Sequence, residues 1–337
     1  MPKKPAQKAA PKPGTARKKK DAAPPAQMEQ ILRKFVEAIS GGEPIVNSDI
    51  KTMWTSLQGP SPGDDLDYTE REARSDAQEL AFDAMEATSK TEARKLARRA
   101  IALYPDCVDA LMTLAGLDAR STSELIEKYI LAIEAGERSL GEKFIRENKG
   151  DFWLLIETRP YMRAMEQLAS IYFVQSMYQE AIGLYEKMLK LNPNDNQGVR
   201  DPLLGAYLCI DNLQGAGRLL QRYKKDSMAN FAWGRVLERF LSGDSAGAAA
   251  ALAKAREANC FVEPFLVGKQ PVPRTSPEMY SPGSKEEAVL CMDNVGRAWA
   301  LHKDAVFWLH DQHETALPPR TPSKAALKRI PIKGKPQ

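Results

Sequence analysis

The sequence predicts an all-α fold, an α-solenoid of antiparallel helix pairs. Three observations carry this expectation. Nearly every segment from about residue 68 to 263 is helix-forming, and no run of alternating β-branched residues interrupts it. A small residue recurs thirteen positions after a Leu, as in Leu80 with Ala93, Leu168 with Ala181, and Leu203 with Ala216. Prolines follow two of the second helices, at Pro105 and Pro193, where a helix must stop. The spacing has a mechanical reason. Two helices joined by a tight turn need small residues where their backbones approach, with large apolar residues around those points.

The elements follow in chain order. Residues 1–27 form a low-complexity basic tail with too little apolar surface to fold. Residues 28–66 read as an N-terminal helical cap and linker. Ile31, Leu32, Phe35, Val36 and Ile39 share one stripe there, and Gly41-Gly42 ends it. The repeat region spans 67–268. Its first unit keeps Leu80, Ala81, Ala84, Ala93 and Ala97, and a shorter pair follows near residues 109–136. The best unit is Met165, Leu168, Ala169, Tyr172, Ala181, Tyr185 and Pro193. The next keeps Leu203, Leu204, Tyr207, Ala216 and Leu220. The last, over 232–258, is weaker, with Arg235 and Arg239 at positions expected to be apolar. Residues 269–317 read as a Pro-rich loop and a C-terminal helical cap, and 318–337 as a second basic tail.

The stretch "GDFWLLIETRPYMRAMEQLASIY" interrupts the repeats. It reads as a joint between two halves of the solenoid. Asp151 is expected to cap a short helix over 152–157, and Thr158 the next one, with Pro160 in its first turn. Residues 152–156 would seal the seam.

The unit beginning at Met165 resembles the tetratricopeptide repeat, W-x2-L-G-x2-Y…A-x3-F…P. A more specific resemblance is carried by "YPDCVDALMTLA", "EAGERSLGEKF", "GDFWLLIETRPYMRAMEQLA", "LNPNDNQGVRDPLLGAYL" and "YSPGSKEEAVLCMDNVGRAWA". In these blocks the chain resembles the bacterial tetratricopeptide proteins grouped with the suppressor-of-tumorigenicity-seven family. The resemblance covers about residues 68–309. It implies a helical repeat fold without known catalysis and transfers no binding residue. Animal members look membrane-associated, a trait not carried over here, because no stretch approaches the ~20 apolar residues of a membrane span.

Charge is unevenly placed. Residues 1–25 carry +7 and residues 318–337 carry +6, so a total of +4 leaves −9 on the part between. The basic tails suit weak contact with nucleic acid or another anionic surface, an attraction that salt screens. They lack interleaved aromatics for base stacking. Cys107, Cys209, Cys260 and Cys291 form no C-x-x-C pair, which speaks against a zinc ribbon or disulfide scaffold and for a cytoplasmic protein.

Catalytic chemistry finds little support. Glu157 and Arg159 lack a His or Cys partner, and no phosphate-binding loop is present. His310 and His313 lack a convergent third ligand for zinc. No cofactor is expected. The expected function is a non-catalytic scaffold that presents a concave groove to a peptide or protein. The candidate partner-binding residues are Arg159, Arg163, Gln167 and Arg200. Arginine suits bidentate recognition of carboxylates, although neighbouring acids such as Glu157, Glu166 and Asp201 are alternative internal partners.

Overall fold

The computed structural model describes residues 29–30 and 68–316. Both basic tails and nearly all of the expected N-terminal cap lie outside the described residues. Fifteen α-helices and two 3-10 turns make up the described chain, with no strand among those residues.

Five helix pairs form the solenoid: α1 (Tyr68–Glu86) with α2 (Lys90–Leu103), α3 (Val108–Asp118) with α4 (Thr122–Leu140), α6 (Arg159–Val174) with α7 (Tyr178–Leu191), α8 (Arg200–Cys209) with α9 (Leu213–Arg222), and α10 (Ala229–Leu241) with α11 (Ser245–Ala258). The short helix α5 (Glu142–Glu147) follows the second pair. Local signals set several boundaries. Ser89, Ser121, Asn212 and Asp244 accept hydrogen bonds from backbone N–H groups in the first turns of α2, α4, α9 and α11. Ala93, Ala181 and Ala216 are all buried, as the thirteen-residue spacing requires.

The last pair corrects the expected register. Its buried side chains are Trp233, Val236 and Leu237, while Arg235 is half-buried and Arg239 is exposed and pairs with Asp244. The unit is therefore packed as fully as its neighbours, one step out of phase with the spacing read from Arg235.

The joint also differs in detail. Residues 152–158 form two 3-10 turns, Phe152–Leu154 and Ile156–Thr158, rather than one short helix. Asp151 makes no side-chain cap bond, and neither does Thr158. The Thr158 hydroxyl turns inward instead, toward the carbonyl oxygens of Phe152 and Leu155. Phe152, Leu155 and Ile156 are buried, but Leu154 is 62% exposed. The seal thus comes from alternate turn positions, with Phe152 tilted against Tyr161 at a centroid distance of 6.4 Å. Gly136 admits Tyr161 beside α4; a Cβ there would lie 2.7 Å from its Cδ2.

Beyond α11, the chain runs through α12 (Val262–Leu266), an irregular stretch over 269–284, and α13 (Lys285–Asn294), α14 (Gly296–Leu301) and α15 (Lys303–Ala316). Helices α13 and α14 pack on α8, and α13 and α15 pack on α10. In a tetratricopeptide-type stack the first helix of each pair lines the concave face. The chain's own C-terminal helices therefore sit on that face at its last two pairs.

Three contacts fix them there. Gly205 of α8 meets the backbone carbonyl oxygen of Asn294, and any Cβ at 205 would collide with it. Trp233 and Trp299, both fully buried, meet edge to face at 6.4 Å. The buried Glu287 carboxylate accepts the Ala229 N–H at the start of α10 at 2.9 Å, the Asn259 Nδ2 at 2.9 Å and the Gly283 N–H at 2.6 Å. A carboxylate suits the positive end of a helix. Gly205→Ala should consequently destabilise the fold by about 1–3 kcal/mol through overpacking. Denaturant titration checks it, and an unchanged midpoint would contradict the contact.

Candidate functional site

Three of the four candidate partner-binding residues, Arg159, Arg163 and Gln167, lie on α6. Positions 159, 163, 167, 170 and 174 recur at helical spacing on one stripe. Arg159 and Arg163 are half-buried, whereas Gln167, Ser170 and Val174 are exposed, Val174 at 54%. The opposite side of α6 is committed to the core through Met162, Met165, Leu168, Ala169 and Tyr172.

The C-terminal end of this stripe opens into a cavity of about 600 Å³ between α6, α8, α13 and α14. Glu166, Ser170, Gln197, Asp201, Asp293 and Arg297 supply its polar lining. The turn from α7 to α8 shapes one wall, where Asp195 and Gly198 take positive φ and the Asp195 carboxylate accepts the Val199 and Arg200 N–H groups. Gln197 donates to Glu166 at 2.5 Å. Ser276 lies on the rim and donates to Asp293 at 2.5 Å. Arg297 donates to the Val174 carbonyl at 3.1 Å and stacks over Phe173. Three carboxyl groups stand against one arginine in this lining. Burial pushes the Glu166 carboxyl above its ordinary value.

Asp201 is displaced further, to about 7. Burial is the main cause; Arg200 opposes it, Asp226 and Asp195 reinforce it, and the bond from Asn230 opposes it. A larger cavity, about 710 Å³, lies among α4, α5, α6 and α7. Its central carboxylate, Glu137, already accepts bonds from Tyr161 at 2.8 Å and Lys187 at 2.6 Å, which leaves it less to offer a ligand.

The two central arginines expected to face a partner are engaged internally, and not with the acids nearest in sequence. Arg163 grips Asp109 of α3 with Nε at 3.1 Å and Nη2 at 2.5 Å, while Nη1 reaches Glu29 at 2.6 Å. Asp109 is 1% exposed and also accepts Gln78 of α1 at 2.7 Å. These bonds join α1, α3 and α6 across their first-helix face. Burial alone would lower the Arg163 guanidinium, but its carboxylates, Asp109 foremost, raise it above its ordinary value, so it stays charged. Arg200 bonds Asp226 at 2.9 Å and Asp195 at 3.2 Å, and stacks over Tyr223 and Phe231. Arg159 donates to the Trp153 carbonyl and covers its ring. Gln167 alone of the four is exposed.

Among the described residues no group of three or more His, Cys, Asp or Glu side chains is arranged to hold a metal ion. His302 instead meets the Leu208 carbonyl at 3.0 Å, and His313 lies 3.2 Å from Glu263. No described helix is long and apolar enough to cross a membrane.

Set beside known proteins, residues 162–195 match the family model of the tetratricopeptide repeat. That span covers most of α6, all of α7 and the turn after it, the unit that carries the exposed stripe. The chain thus contains a tetratricopeptide repeat, a fold unit associated in general with protein interaction. No curated protein matches the chain.

Two outcomes follow from these charges. Arg163→Glu and Arg200→Glu should each cost about 3–5 kcal/mol, because each leaves buried carboxylates unpaired; near-wild-type denaturation midpoints would contradict the pairings. Asp201 holds a proton in the folded chain at pH values where an unfolded Asp, near 3.9, has lost it. The folded state therefore binds more protons between about 4 and 7, and stability from this group falls as pH rises through that window. Asp201→Asn should flatten the pH dependence of melting over that range, and identical slopes in both proteins would count against the assignment.

Proposed function

We propose that this protein is a non-catalytic interaction scaffold whose partner site is the exposed stripe of α6 and the acidic cavity at its end. The observation that carries the reading is the unfilled stretch itself. Farther along, the concave face is covered by α13, α14 and α15, so a partner peptide finds free first-helix surface at Gln167, Ser170 and Val174. Such a peptide would combine a small apolar residue for Val174 with a Lys or Arg for the cavity. Arg159, Arg163 and Arg200 border the site, and their internal pairs hold its walls at fixed spacing.

The resemblance to the suppressor-of-tumorigenicity-seven group belongs to this proposal and rests on the residue blocks quoted above. Cytoplasmic residence belongs to it as well, supported by four cysteines that are all unpaired. The alternative reading, an accessory protein tethered to nucleic acid, draws on tails that lie outside the described residues.

The test is a tagged pull-down with mass spectrometry, comparing wild type with Ser170→Arg. This exposed substitution should leave stability within about 0.5 kcal/mol. It should abolish recovery of the specific partner by filling the cavity mouth with a positive side chain. An unchanged set of recovered proteins would place the partner site elsewhere.

A further inference from the structure

Glu29 is distant from the repeats in sequence, yet its carboxylate is buried on them. It is 5% exposed and binds Arg163 Nη1 at 2.6 Å. Gln30, beside it in a helical segment, donates to Glu79 of α1 at 2.6 Å. These two side chains span the first helices of two pairs, α1 and α6, on the face that a tetratricopeptide-type stack offers to its partners.

The chemistry of the Arg163 contact is asymmetric. Asp109 already takes two edges of the guanidinium, through Nε and Nη2, and neutralises its charge. Glu29 is a second carboxylate on a pair that is already neutral. It accepts a hydrogen bond from the remaining Nη1 edge and adds its own charge attraction to that of Asp109. Asp109 is a fixture of the fold, held also by Gln78. Glu29 takes the one guanidinium edge that Asp109 leaves, through Nη1.

We propose that the face formed by α1, α3 and α6 is a docking surface for a peptide that carries a carboxylate, and that Glu29 and Gln30 occupy it in cis. The spare Nη1 edge of Arg163 is the carboxylate subsite, and Glu79 receives an amide donor one residue further on. An acidic peptide partner competes with the chain's own segment, so the segment sets the threshold for binding. This inference rests on the reading of α6 as the partner-facing helix and adds a carboxylate-binding face toward its N-terminal end.

The probe is a fluorescent synthetic peptide with the chain's residues 26–40, followed by anisotropy against full-length protein. Wild type, filled in cis, should bind it at least 10-fold more weakly than the full-length Glu29→Ala variant. A peptide carrying its own Glu29→Ala change should bind that variant at least 10-fold more weakly than the unchanged peptide. Equal binding to wild type and variant, no binding to either, or indifference to the peptide's carboxylate would each overturn the proposal. Full-length Glu29→Gln, which keeps the side-chain shape, repeats the comparison if Glu29→Ala melts early. Ser170→Arg separates the two readings. Loss of the exchange effect with partner recovery still sensitive to Ser170 removes only the cis occupant; intact exchange with recovery insensitive to Ser170 removes only the cavity reading.

Discussion

The backbone contact between Gly205 and the carbonyl oxygen of Asn294 decides what kind of solenoid this is. A side chain at 205 would hold α13 away from α8. With glycine there, the C-terminal helices come down onto the first helices of the last two pairs. The edge-to-face packing of Trp233 and Trp299 and the three bonds to Glu287 then become possible. A concave face that would otherwise run the length of the stack is closed over its final part. What remains open is short, specific in shape and acidic at one end.

Buried polar pairs divide the labour along the rest of that face. Arg163 with Asp109, and Arg200 with Asp195 and Asp226, place charge inside the fold and satisfy it there. Removing one partner is costly because the other remains buried, which makes such pairs guardians of register more than sources of net stability. The groups of α6 left exposed are the uncharged Gln167 and Ser170 and the apolar Val174.

Much of the fold was legible from local signals. The thirteen-residue spacing reports backbone approach within one helix pair, and Ala169 and Ala181 obey it because their helices are sequence neighbours. The stripe of α6 was legible for the same reason. Long-range features were not. Arg163 bonds an acid 54 positions away, and a reading that pairs it with Glu166 has no means of preferring Asp109. Gly205 looks like any glycine in a helix until Asn294 is placed beside it. The last pair misled through a coincidence of spacing: Arg235 fell thirteen residues before Ala248, while Trp233 and Val236 carried the packing. At the joint, Asp151 and Thr158 have the residue types of caps, but Thr158 is fully buried and its hydroxyl serves carbonyl groups within the turn.

The occupation of the concave face by the chain's own C-terminal helices is the claim on which the functional reading turns. Nuclear Overhauser spectroscopy of the intact protein, deuterated except at its tryptophan side chains, tests it most directly, with the two indoles assigned through Trp233→Phe and Trp299→Phe. Ring centroids 6.4 Å apart in an edge-to-face arrangement predict cross-peaks between the Trp233 and Trp299 ring protons. Their absence, together with rapid solvent exchange of the Trp299 indole proton, would mean that the face is open and that α13 and α14 lie elsewhere.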